Sequence, residues 1–122
     1  ESHDMEILDD PQKHILGRNG FIYLARHGEE IIGSAALISQ PDGVFELAKM
    51  AVAKPFRNMG VSRALLEKCL AKARTLDAKK VILFSNHQLK AALGLYEKYG
   101  FRYVPVKDSP FETADVRMEL EM

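Results

Sequence analysis

Tryptophan is absent from this chain, and cysteine occurs once, at Cys69. One thiol cannot close an internal disulfide or build a zinc knuckle, which excludes a disulfide-stapled scaffold and a cysteine-based metal centre. A reducing, cytoplasmic compartment is the expectation that follows. Excess charge of either sign is also lacking: 17 Lys and Arg balance 17 Asp and Glu, and the pI is about 7.2. Nucleic-acid binders carry a basic face or tail, so this balance speaks against one. No apolar run approaches the ~20 residues that span a bilayer, and no signal peptide is visible, so no membrane partner is expected. The nucleotide loops G-x-x-x-x-G-K-[ST] and G-x-G-x-x-G are missing. His3, His14, His27 and His87 stand in no metal-binding spacing and read as ordinary surface groups, so no metal is expected.

What is present is the composition of an ordinary globular domain. Hydrophobic residues make up 47% and charged residues 28% of 122 positions. That length fits one domain, residues 1–122, with a real core. Asp9-Asp10-Pro11 looks like a cap with Pro in the first turn, which predicts a short helix over Pro11–Leu16. Phe21–Arg26 and Ile31–Ile38 read as a hairpin joined at His27-Gly28-Glu29. Gln40-Pro41-Asp42-Gly43 is a turn into a strand over Val44–Ala53. Val61, Leu65, Leu66, Cys69, Leu70 and Ala73 form a helical stripe, with Arg63, Lys68, Lys72 and Arg74 on the other side. Val81–Phe84 is a strand buried on both faces. A second helix over Leu89–Tyr99 stops at Gly100, a left-handed cap over which Phe101 folds back. Strands over Phe101–Val106 and Val116–Met122 finish the chain. The helix at 61–76 is a crossover, so strands 44–53 and 81–84 are expected to run parallel.

One stretch carries chemistry. The strand at Phe45–Val52 passes through Arg57-Asn58-Met59-Gly60 into a helix opening at Val61-Ser62. A helix N-terminus offers N–H groups without intrahelical partners and a positive dipole end, which suits phosphate. Gly60 lets the backbone approach a ligand closely, and Arg57 adds a permanent cation.

Three segments together resemble the GNAT superfamily of N-acetyltransferases. Arg57-Asn58-Met59-Gly60-Val61-Ser62 resembles that family's [Q/R]-x-x-G-x-[G/A] loop for the pyrophosphate of acetyl-CoA, with Ser62 in place of the usual Gly or Ala. Asn86 followed by Ala91-Ala92-Leu93-Gly94-Leu95-Tyr96-Glu97-Lys98-Tyr99-Gly100-Phe101 resembles the family's helix and strand start. Glu46 lies eleven residues before Arg57, where several members place a base. The resemblance implies an α/β (α+β) fold. Its sheet would be mixed, mostly antiparallel and twisted, with a parallel pair at the cofactor cleft and helices on both faces. The family's first strand and helix have no counterpart in this reading.

The resemblance also implies direct acetyl transfer from acetyl-CoA to an amine of a small molecule, amino acid or peptide. Backbone around a bulge at Met50-Ala51-Val52 would serve the pantetheine arm and the acetyl oxygen. Arg57, Asn58, Met59, Gly60, Val61, Ser62, Asn86 and Tyr96 are the remaining cofactor contacts it implies. Tyr96 is the expected general acid, a phenol of reference pKa ~10 facing a thiolate of ~8.5; a core aromatic is the plainer reading. Glu46 is the expected base, since a carboxylate among apolar neighbours holds its proton more readily; in strict alternation it shares a face with Val44, Ala48, Met50 and Val52. Asn86 equally suits a helix N-cap, and Arg57 a solvated charge. Cys69 falls on the buried stripe and reads as core, which disfavours a ping-pong route. Phe111 and Glu112, in the loop before the last strand, are candidates for acceptor contact. A catalytically silent acyl-CoA-binding regulatory or interaction module is the alternative, and the resemblance leaves a homodimer open.

Overall fold

A computed structural model describes residues 5–10, 14–15, 18–106 and 114–122. Ten elements follow in chain order. They are β1 (Met5–Asp10), β2 (His14–Ile15), β3 (Arg18–His27), β4 (Glu30–Ser39), β5 (Val44–Val52), α1 (Val61–Thr75), β6 (Lys80–Ser85), α2 (Lys90–Lys98), β7 (Arg102–Val104) and β8 (Val116–Glu121). Seven strands form one sheet in the order β1-β3-β4-β5-β6-β8-β7, and β2 adds a short ladder on β3. All pairings are antiparallel except β5 with β6. This is the mixed, mostly antiparallel sheet with one parallel pair that the sequence implied.

Apolar pattern decides which face each residue takes. Along β4, Ala35 and Leu37 join the main core while Ala36 and Ile38 join a small cluster with Ile22 and Ala48 on the other face. A strand buried on both faces has to be nearly continuous in apolar residues, as Ile31–Ile38 is. The α1 stripe is buried in full: Val61, Leu65, Leu66, Cys69, Leu70 and Ala73. Leu93 and Tyr96 of α2 enter the same core. Both helices therefore cover one sheet face, and among the described residues no helix covers the second. The expectation of helices on both faces is met on one face only. No described helix is long and apolar enough to cross a membrane.

α2 ends as its sequence predicts. Gly100 has φ 97°, its N–H donates to Glu97 O at 3.0 Å, and Phe101 N–H donates to Tyr96 O at 3.1 Å. That pair of bonds is a Schellman cap, and glycine takes the left-handed angle without steric cost.

The N-terminal reading is corrected. Met5–Asp10 is an edge strand, in register with Ile22–His27 of β3, where no strand was expected. His14–Ile15 pairs with Arg18 and Asn19 and is not helical. The remainder of the expected helix, at 11–13 and 16, lies outside the described residues.

Candidate active site

The parallel ladder between β5 and β6 is short. It joins Val44, Phe45 and Glu46 to Lys80, Val81 and Ile82, and there the strands part. β5 runs on to Val52 beside β4, while β6 runs on to Ser85 beside β8. The cause lies on the β4 side. The register slips between Ser34, opposite Ala51, and Ala36, opposite Ala48. Ala35 thus faces both Lys49 and Met50, which is a β-bulge, and a bulge bends and twists the strand that carries it. Lys49 sits at φ 55°, a left-handed angle that glycine usually supplies at such a bulge. The Ser34 hydroxyl donates to the Lys49 carbonyl at 3.1 Å.

A cleft of about 880 Å³ occupies the opening. Met50, Ala51 and Val52 line one side, and Leu83, Phe84, Ser85 and Asn86 line the other. Arg57, Asn58, Gly60 and Ser62 sit at the α1 end, and Leu95 and Tyr96 reach in from α2. Gly60, at φ 82°, is the N-cap of α1 and offers no side-chain bond, so the first-turn N–H groups lack a side-chain cap. Asn58 is also left-handed at φ 64°. Together the loop and helix start bring left-handed backbone and uncapped first-turn N–H groups to one end of the cleft, a geometry suited to an anion.

Charge completes the picture. Lys49, Arg57, Arg63 and Lys90 line the cleft, and among the described residues no carboxylate does. In a chain of zero net charge, four cations gathered in one opening create a local field suited to a polyanion. Sequence reading missed Arg63 and Lys90, counting Arg63 with the solvated side of α1. A signal was available. Both cations stand in the first turn of a helix with no acid beside them, where the dipole disfavours positive charge unless an anion joins.

Most of the expected residues meet here, with refinements. Arg57 Nε donates to Val52 O at 3.2 Å, which holds the side chain along the cleft wall. Asn86 is not the N-cap of α2, which is Leu89. Its Oδ1 accepts from Gln88 N–H at 2.8 Å and its carbonyl from Leu89 N–H at 3.0 Å, shaping the turn before the helix. Tyr96 is 6% exposed, and its ring lies 5.8 Å from that of Phe101. Burial, with Cys69 adding to it, pushes the Tyr96 phenol above its usual pKa, which favours the proton-bearing form. Burial also pushes the Cys69 thiol up to about 12, so a thiolate there is disfavoured.

Three residues stand apart from the cleft. Met59 is exposed on the loop, and Val61 is buried beneath it in the core. Glu46 is half-buried on the second sheet face, near Ala48 and Ile38, where Gln40 Nε2 donates to its Oε1 at 2.7 Å. The face expected for Glu46 is right for Ala48 and wrong for Met50 and Val52. The bulge at Lys49 reverses the alternation, and those two side chains pack on the main core. Phe111 and Glu112 lie outside the described residues.

One pair ties the cleft walls together. The Asp115 carboxylate accepts from His87 N–H at 2.9 Å and pairs with His87 Nδ1. His87 follows Asn86, and Asp115 follows Ala114, which also lines the cleft. The His87 N–H and ring hold the Asp115 carboxyl below its ordinary pKa. A depressed carboxyl adds stability above its unfolded value, near 4, and loses it as pH falls through the lower folded value. Protection of the amides at 86–89, taken relative to intrinsic exchange, is therefore expected to hold at neutral pH and to fall only below about pH 4, with Asp115→Asn removing the step. A flat profile in the unsubstituted protein would refute this role.

Comparison with known proteins agrees with the geometry. The Acetyltransferase (GNAT) family matches residues 1–101. An uncharacterized N-acetyltransferase of Mycobacterium tuberculosis is 35% identical over 97 residues, covering 80% of this chain and 58% of its own length. The chain thus spans under two thirds of that relative. The uncharacterized N-acetyltransferase YvbK of Bacillus subtilis is 29% identical over 105 residues, covering 84% and 68%. Among solved structures, a GNAT family acetyltransferase from Elizabethkingia anophelis with acetyl-CoA bound aligns at TM-score 0.77 and 23% identity, over 98% of this chain and 99% of that one. From strand splay, cation-lined cleft and family match alike, the chain belongs to the GNAT family of acetyltransferases.

Proposed function

We propose that the chain transfers the acetyl group of acetyl-CoA directly to an amine of a small molecule, amino acid or peptide. The observation that carries this reading is the parting of β5 from β6 over a cleft whose described lining holds four cations and Tyr96. The acetyl-CoA bound in the Elizabethkingia anophelis neighbour supports the choice of donor. The α1 N-terminus, Arg57 and Arg63 bind the phosphates, and the exposed edge of Met50–Val52 receives the pantetheine arm and the acetyl oxygen.

Each residue then has one task. Glu46 accepts a proton from the ammonium or attacking amine, directly or through water. The amine nitrogen bonds the acetyl carbon, and a backbone N–H of the bulge stabilises the oxyanion. The C–S bond breaks, and the Tyr96 hydroxyl gives its proton to the departing thiolate. Glu46 on the second sheet face and Tyr96 beneath the helices would serve opposite sides of the opening, as separate entry of amine and thioester requires.

Calorimetric titration with acetyl-CoA, against ATP and NAD, tests the reading. Saturable binding of acetyl-CoA alone, followed by CoA release with an amine panel, is the expected result. Binding without turnover across the panel would favour the silent module. Glu46→Gln is expected to lower kcat/KM about 10²-fold and to remove the acid limb of the pH–rate profile. A profile that keeps that limb excludes Glu46 as the base.

A further inference from the structure

We infer that Ser34 is a positioning residue: its hydroxyl fixes the bulge so that the Met50 N–H points into the cleft as the oxyanion donor. This rests on the acetyl-transfer reading above. The argument is one of peptide geometry. Ser34 Oγ donates to the Lys49 carbonyl at 3.1 Å. That carbonyl belongs to the same peptide unit as the Met50 N–H, and no described peptide bond is cis. In a trans peptide the C=O and N–H point opposite ways. A carbonyl drawn toward β4 therefore sends the N–H away from β4, toward the gap that β6 has left.

The surroundings agree. Ser34 alternates with Gly33 and Ala35, so its side chain shares the second sheet face with Ala36 and Ile38. Met50 lines the cleft. Lys49 holds a left-handed angle that a lysine rarely adopts. Such an outlier persists only where its neighbours over-determine it, and it is commonest at working sites. Among the described residues, Ser34 supplies the side-chain hydrogen bond recorded to that carbonyl. Without it, the peptide loses the contact that sets its direction, although the strand pairing on either side remains.

Deleting an oxyanion donor outright costs about 10²–10³ in kcat, so loosening one is expected to cost about tenfold or more. Ser34→Ala should therefore lower kcat by that factor while KM for acetyl-CoA stays close to wild type. Ser34→Thr keeps the hydroxyl and is expected to restore kcat. The Met50 amide resonance, which should shift on addition of acetyl-CoA, is expected to shift less in Ser34→Ala. Wild-type kcat and a wild-type Met50 shift in Ser34→Ala would overturn the assignment, as would equal losses in the Ala and Thr variants. A wild-type protein that transfers no acetyl group would instead defeat the proposed function, and this assignment with it.

Discussion

Tyr96→Phe is expected to lower acetyl-transfer turnover by roughly 10- to 1000-fold, within the range for a lost general acid, and to leave acetyl-CoA affinity nearly unchanged. The two halves of that expectation have separate causes. The ring stays, and with it the tilted contact to Phe101 and the burial of α2 against the sheet. Only the hydroxyl goes. Burial pushes the pKa of that hydroxyl up, so at neutral pH it carries the proton that a general acid needs. Steady-state kinetics with one good amine, paired with calorimetry on the same preparation, separates the two. Equal loss of turnover and affinity would mean that Tyr96 is a wall of the cleft. Unaltered turnover would remove it from the chemistry.

Gly33→Ala is expected to destabilise the fold by crowding the start of α1. A Cβ there would stand 3.0 Å from Val61 Cγ1, 3.1 Å from the Ala51 carbonyl and 3.2 Å from Leu65 Cδ1. Two of these atoms belong to α1 and the third to β5 behind the bulge, so relief must move the helix start or the cleft wall. Overpacking of this kind costs about 1–3 kcal/mol. For a domain of this size each 1 kcal/mol lowers Tm by about 4 °C. Because Val61 is the first residue of α1, anion binding at the loop is expected to weaken as well. Gly94→Ala is the control. It lies inside α2, a Cβ there meets nothing within 4 Å, and the change should raise stability by about 0.5–1 kcal/mol. If Gly33→Ala melts where wild type does, the helix start has slack that these contacts deny.

Much of this was legible in the residues, for identifiable reasons. Tyr96–Phe101 carries its own cap, so the end of α2 is fixed locally. The crossover through α1 requires β5 and β6 to be parallel, and Arg57–Ser62 needs only a strand behind it and a helix ahead. Other features depend on partners far along the chain. Met5–Asp10 is short and pairs on one side, and nothing within six residues says that its partners in β3 wait 12 to 22 positions later. The stripe on α1 reveals a buried face but not which side of the sheet it covers. The resemblance implied a bulge around Met50–Val52, but the residues themselves do not mark its position at Lys49. Glycine would have marked it, and Lys49 stands there instead, so strict alternation put Glu46 and Met50 together when they face opposite ways. Arg63 and Lys90 were hidden by the habit of assigning helix cations to solvent.

The early parting of β5 from β6 has a consequence for handling the protein. Beyond Glu46 and Ile82 the molecule carries two strand edges in its middle, not only at its rims. Unpaired edges recruit other chains, and rims are commonly protected by charge or by coverage. Here the occupant of the groove, when bound, is itself the cover. The empty protein is therefore expected to be the self-associating species, and storage with a saturating thioester or its CoA product should keep it monodisperse. At a hundredfold excess over Kd such a ligand would also add about 2.7 kcal/mol to stability. Light scattering with and without ligand would read the first effect directly, independent of any turnover.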